Sequence, residues 1–143
     1  MYQSVIPLIG WTVTVLVSGL AWWKGGPAER ASGLLIVGAA FAVWLAHLLL
    51  RPAGANLALL VIDGAMAAGF LLLAIRYANL WLGVAMLLQS TQFSLHSFYL
   101  VTEKSHDRLY SIANNLITLG VVLCVLFGTL TAWRRARKAA EAG

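Results

Sequence analysis

The sequence predicts an all-α polytopic membrane protein: a bundle of five transmembrane helices, N-terminus outside and C-terminus cytoplasmic. Three observations carry this expectation. Of 143 residues, 61% are hydrophobic and only 10% charged, where a soluble domain carries about 25% charged residues. The mean hydropathy is +0.84. The apolar residues fall into five runs, each close to the roughly 20 residues that cross a hydrocarbon core of about 30 Å.

The first run covers residues 4–23. It has no basic segment before it and no small-x-small cleavage site after it, so it is expected as a retained spanning helix rather than a signal peptide. Gly25, Gly26 and Pro27 then break the chain. The second run, residues 32–50, begins at Ser32, a residue type that caps helices, and stops at Arg51-Pro52. Asn56 stands where a cap for the third run, residues 57–75, is expected.

The break Arg76–Asn79 is very short, which predicts a tight antiparallel hairpin into the fourth run, residues 80–101; one long bent helix is the competing expectation. The polar stretch Thr102–Arg108, which holds His106 as an expected solvated or interfacial residue, leads to the fifth run, residues 109–133. Residues 1–133 are thus one transmembrane domain, and residues 134–143 form a basic cytoplasmic tail.

Basic residues set the orientation. Lys24, Arg30, Arg76, Arg134, Arg135, Arg137 and Lys138 share one side of a five-span topology, and Arg51, Lys104 and Arg108 the other. The richer side is expected to be cytoplasmic, in the cell inner (plasma) membrane. Trp22, Trp23, Tyr77, Trp81 and Trp133 fall at that boundary and Tyr2, Tyr99 and Tyr110 at the opposite one, as interfacial aromatic belts do. The net charge of +5 lies in loops and tail, where Arg134, Arg135, Arg137 and Lys138 can also meet anionic lipid headgroups. It forms no basic patch with interleaved aromatics, so nucleic acid is not an expected partner.

The fourth run carries the chemistry. Gln89, Gln92, His96 and Tyr99 are spaced 3, 4 and 3 apart, which puts them on one face of a helix. Lipid cannot satisfy such a stripe without a penalty of several kcal/mol. The topology brings Asp63, His47, Gln92, His96, Asn114 and Asn115 into the outer half of the membrane, with Thr118 one turn beyond the asparagines. Asp63 is the only acid expected within a span, with no basic residue in its own run. It is expected to hydrogen-bond to a histidine, His47 or His96.

Small residues form a second set of features. Gly38, Ala42 and Ala46 on the second run, Gly64 and Ala68 on the third, and Ser90 and Ser94 on the fourth are spaced for close helix packing. Cys124 is alone within an apolar run and fits no disulfide or zinc pattern. No catalytic motif is present, so a stand-alone enzyme is not expected.

These features predict a non-enzymatic accessory or scaffolding subunit of a larger membrane complex, partnered by lipid and by other integral membrane subunits or itself. Two alternatives use the polar cluster. One is an electron-transfer anchor using His47, His96 and Asp63, linked to a quinone or to haem b held between His47 and His96; the other is a small oligomeric transporter or proton channel. No resident metal is expected, although two histidines and a carboxylate could ligate one.

Overall fold

The computed structural model describes residues 2–105 and 107–143; the loop position expected for His106 lies outside the described residues. The described chain is all α: five helices, with no strand among the described residues. They are α1 (Tyr2–Lys24), α2 (Pro27–Leu49), α3 (Pro52–Tyr77), α4 (Leu80–Val101) and α5 (Arg108–Ala142). Three of them, α2, α3 and α5, are long and apolar enough to cross a membrane. In α4 the glutamines, serines and histidine interrupt the apolar residues.

Helix starts correct two expected caps. Pro27 occupies the first turn of α2, where its fixed φ suits a helix and its missing N–H costs nothing, and the Gly26 N–H donates to Glu29 Oε2 at 2.9 Å. Ser32 is therefore interior, and its hydroxyl donates to the Ala28 carbonyl at 2.8 Å. Pro52 begins α3 in the same way, so Asn56 lies inside that helix. The earlier start of α2 also makes Glu29 a helical, buried acid.

The break at Arg76–Asn79 is a hairpin, not a bend. Ala78 adopts the left-handed conformation at φ 51° and ψ 36°, ending α3 with its N–H on the Ala74 carbonyl. After Asn79 the chain re-enters a helix at Leu80. At the start of α5, Asp107 Oδ1 accepts the Tyr110 N–H at 2.9 Å. The basic tail continues α5 as helix to Ala142, with Arg137 and Glu141 paired at 3.6 Å.

Each helix packs on its neighbours in the chain, and α1 also packs on α5, so the five helices close into a ring. One end of the ring is filled. Phe70, Leu82, Ala85, Val125 and Ala21 are fully buried there, with Trp81, Met66, Val121 and Val122 around them. Glycines permit this closeness: a Cβ on Gly33 would sit 3.3 Å from the Ser18 carbonyl oxygen, and one on Gly128 would fall inside the Trp81 indole. At the rim, Lys24 Nζ lies 4.7 Å from the Trp23 ring and 5.3 Å from the Trp133 ring, which ties α1 to α5.

The outer surface is oily. Leu34, Phe41, Trp44 and Leu48 on α2, Val61, Leu72 and Ile75 on α3, and Leu116, Leu123 and Phe127 on α5 are all exposed. Asp63, Gln89, Gln92 and His96 are buried instead. Polar inside and apolar outside is the arrangement lipid imposes and water forbids.

Candidate binding cavity

At the other end of the ring the helices line a half-open cavity of about 490 Å³ to which all five contribute. From α1 come Gly10, Trp11 and Thr14; from α2, Ile36, Ala39, Ala40, Val43 and His47. The third helix adds Asn56, Leu59, Ile62, Asp63 and Met66, and the fourth Gln89, Gln92 and His96. Tyr110, Asn114, Asn115, Thr118, Val121 and Val122 complete it from α5.

Its polar wall is an ordered network. His96 Nδ1 donates to Asp63 Oδ2, and Gln89 Nε2 donates to Asp63 Oδ1 at 3.2 Å. Both carboxylate oxygens are thus met by side chains from α4, which lets an acid exist at this depth. One turn along α4, Gln92 Nε2 donates to Asn114 Oδ1 at 2.8 Å, a separate bond that reaches α5.

The stripe read from the sequence is therefore buried along its whole length, from Gln89 through Gln92 and His96 to Tyr99. Tyr99 and Tyr110 pack edge to face at 5.0 Å, and the His96 ring lies 5.4 Å from Tyr110. The Tyr99 hydroxyl donates to Asp107 Oδ1 at 2.8 Å. The Tyr110 backbone N–H, and after it the Tyr99 hydroxyl, hold the Asp107 carboxyl below the ordinary carboxylate range.

The structure separates the two histidines that the sequence left equivalent. His96 takes Asp63. His47 stands exposed on the cavity wall, and its Nδ1 donates to the Val43 carbonyl at 2.8 Å. A carbonyl only accepts, so Nδ1 carries a proton. Asn115 and Thr118 line the cavity without joining the Asp63 network; Thr118 donates to the Asn114 carbonyl at 2.9 Å. Among the described residues, no three His, Cys, Asp or Glu side chains gather as a metal site would require.

The small residues divide. A Cβ on Gly64 would meet the Phe93 ring at 3.2 Å, so α3 and α4 are in close contact there. Ala46 is buried and Ala42 half-buried, whereas Gly38 faces open space and Ala68 is exposed. Ser90 and Ser94 donate to the carbonyls of Met86 and Ser90 in their own helix. Arg134, Arg135, Arg137 and Lys138 are exposed on the extension of α5.

Sequence reasoning missed Glu29 and Trp11. Glu29 was signalled by the Gly-Pro-x-Glu order at Gly26–Glu29, a helix start rather than a loop. Nothing in the sequence distinguished Trp11 from the other tryptophans. Comparison with family models, curated proteins and solved structures finds no match for the chain.

Proposed function

We propose that the protein is a five-span, non-enzymatic subunit of the cell inner membrane, N-terminus outside, that holds a small amphipathic molecule in the cavity between its helices. One observation carries this: the cavity is lined by all five helices, with a surface more apolar than polar and hydrogen-bonding side chains from each of them. Small-molecule sites have that composition, at about 300–1,000 Å³. A network needed only for packing would close on itself and leave no such space. The charge asymmetry of the loops supports the orientation, and puts the cavity in the outer half of the membrane.

The filled end of the ring, with Phe70, Leu82 and Val125 fully buried, favours a binding site over a continuous proton path. Haem b has one supporting feature: His47 and His96 line the same cavity with each Nδ1 already engaged, as haem-ligating histidines usually are. The accessory role has another, since Gly38 and Ala68 leave small-residue surface facing outward for a neighbouring helix.

Native mass spectrometry and an absorption spectrum after gentle extraction test the binding reading. The expected result is a co-purifying small molecule that is lost in Ala40→Phe, which fills the cavity from α2. A Soret band would identify that molecule as haem. Identical spectra for both proteins, with no bound mass, would overturn the reading.

A further inference from the structure

We propose that the cavity takes an organic cation: a protonated amine on an apolar body, with its ammonium group against Asp63. This rests on the binding reading above and adds the chemical class of the guest.

The first argument is charge. Among the residues that line the cavity, Asp63 is the one carboxylate, and no lysine or arginine accompanies it. The titratable groups around it are His96 from α4, His47 from α2 and Tyr110 from α5; α1 contributes none. An anionic guest would meet Asp63 at low dielectric, where like charges repel strongly. A cation there completes the carboxylate's neutralisation.

The second argument counts hydrogen-bonding groups. Gln89 uses an N–H on Asp63 and Gln92 one on Asn114. His47 uses its N–H on Val43, and the hydroxyls of Thr14 and Thr118 donate to Gly10 and Asn114. These side chains keep amide oxygens and hydroxyl lone pairs as acceptors, and the amides of Asn56, Asn114 and Asn115 add N–H donors beside them. An ammonium group brings up to three N–H donors and a charge.

Shape and access agree. Trp11 and Tyr110 put aromatic rings into the wall, surfaces that attract cations. A second cavity, of about 350 Å³, shares Asn56, Leu59, His96 and Tyr110 with the first and reaches the α4–α5 turn at Glu103. An amine entering from that side passes Glu103 and also Lys104, whose ammonium lies 3.7 Å from Asp107 Oδ2, before it reaches Asp63.

The test compares two probes of nearly one shape. The full chain in nanodiscs of zwitterionic phosphatidylcholine is dialysed at pH 7 against 4-phenylbutylamine or 4-phenylbutanol, with empty nanodiscs subtracted. The amine, like a lysine side chain, is protonated at that pH. We expect it to bind at least about tenfold more tightly than the alcohol, the value of one charge-assisted hydrogen bond. The preference should vanish in Asp63→Asn, persist in Asp63→Glu, and disappear with all binding in Ala40→Phe.

Equal binding of both probes would overturn the cation assignment and leave the cavity reading standing. Binding of neither would overturn both. Should Asp63→Asn fail to fold, the ratio in the unmodified chain and its loss in Ala40→Phe decide the question.

Discussion

Asp63 on α3 and His96 on α4 are joined through Oδ2 and Nδ1, both buried, in a bundle whose outer surface is apolar. The pair ties the middle of α3 to the last two turns of α4. It also presents one polar group, Asp63, at which a guest of opposite charge can be held.

His96→Ala leaves Asp63 with Gln89 alone and should destabilise the fold by about 3 kcal/mol, as removing one partner of a buried, hydrogen-bonded acid does. Replacing both residues by leucine should cost less than the single change, because no orphaned carboxylate remains. Unfolding in mixed detergent micelles measures the three proteins, and a double variant weaker than His96→Ala would contradict the account.

The Gln92–Asn114 bond joins neutral groups on α4 and α5. A double-mutant cycle with Gln92→Leu and Asn114→Leu should return a coupling of about 0.6–1.7 kcal/mol, the range for hydrogen bonds between membrane helices. Coupling indistinguishable from zero would mean the contact does not persist.

Gly128→Ala puts a methyl group into the space of the Trp81 indole and should cost about 1–3 kcal/mol, as overpacking does. Trp81→Leu in the same chain should relieve it. Thermal midpoints of the two single variants and the double variant read this out; additive losses would show that the two residues do not meet.

Ala78 ends α3 at a positive φ, a conformation that costs a non-glycine residue roughly 1–2 kcal/mol. Ala78→Gly should therefore raise stability by up to about 1 kcal/mol after glycine's greater freedom in the unfolded chain is allowed for. A lower thermal midpoint would count against the hairpin geometry.

Asp107 has a depressed carboxyl pKa because Tyr110 N–H and the Tyr99 hydroxyl bond its charged form. A depressed folded value means stability that is fully present above the ordinary carboxylate range, near 3.9, and is lost as pH falls through the folded value. A pH series of thermal midpoints should show that acid loss in the native chain and less of it in Asp107→Asn. Parallel curves would assign the acid sensitivity elsewhere.

Much of this was legible because helical spacing is a strong signal. Four polar side chains at intervals of 3, 4 and 3 can share one face of α4, and they do. Which histidine meets Asp63 was not legible, since topology places His47 and His96 at the same end of the bundle. Only the packing of α3 on α4 separates them. Ser32 and Asn56 looked like caps by residue type, but Pro27 and Pro52 were the decisive residues, because a proline is tolerated at a helix start and not one turn further in. The cavity itself left no trace in any single run, being a property of five helices closing at one end and standing apart at the other.

The two-residue connection Ala78–Asn79 has a consequence for how the chain is made. If the helices enter the bilayer in order of synthesis, Asp63 reaches the lipid ahead of the histidine and glutamine that satisfy it. A connection this short keeps α3 and α4 together, so the acid can travel with its partners as one inserting unit and never face the acyl chains alone. The cavity comes later: its wall is incomplete until α5, which follows the other four helices in the chain, closes the ring against α1.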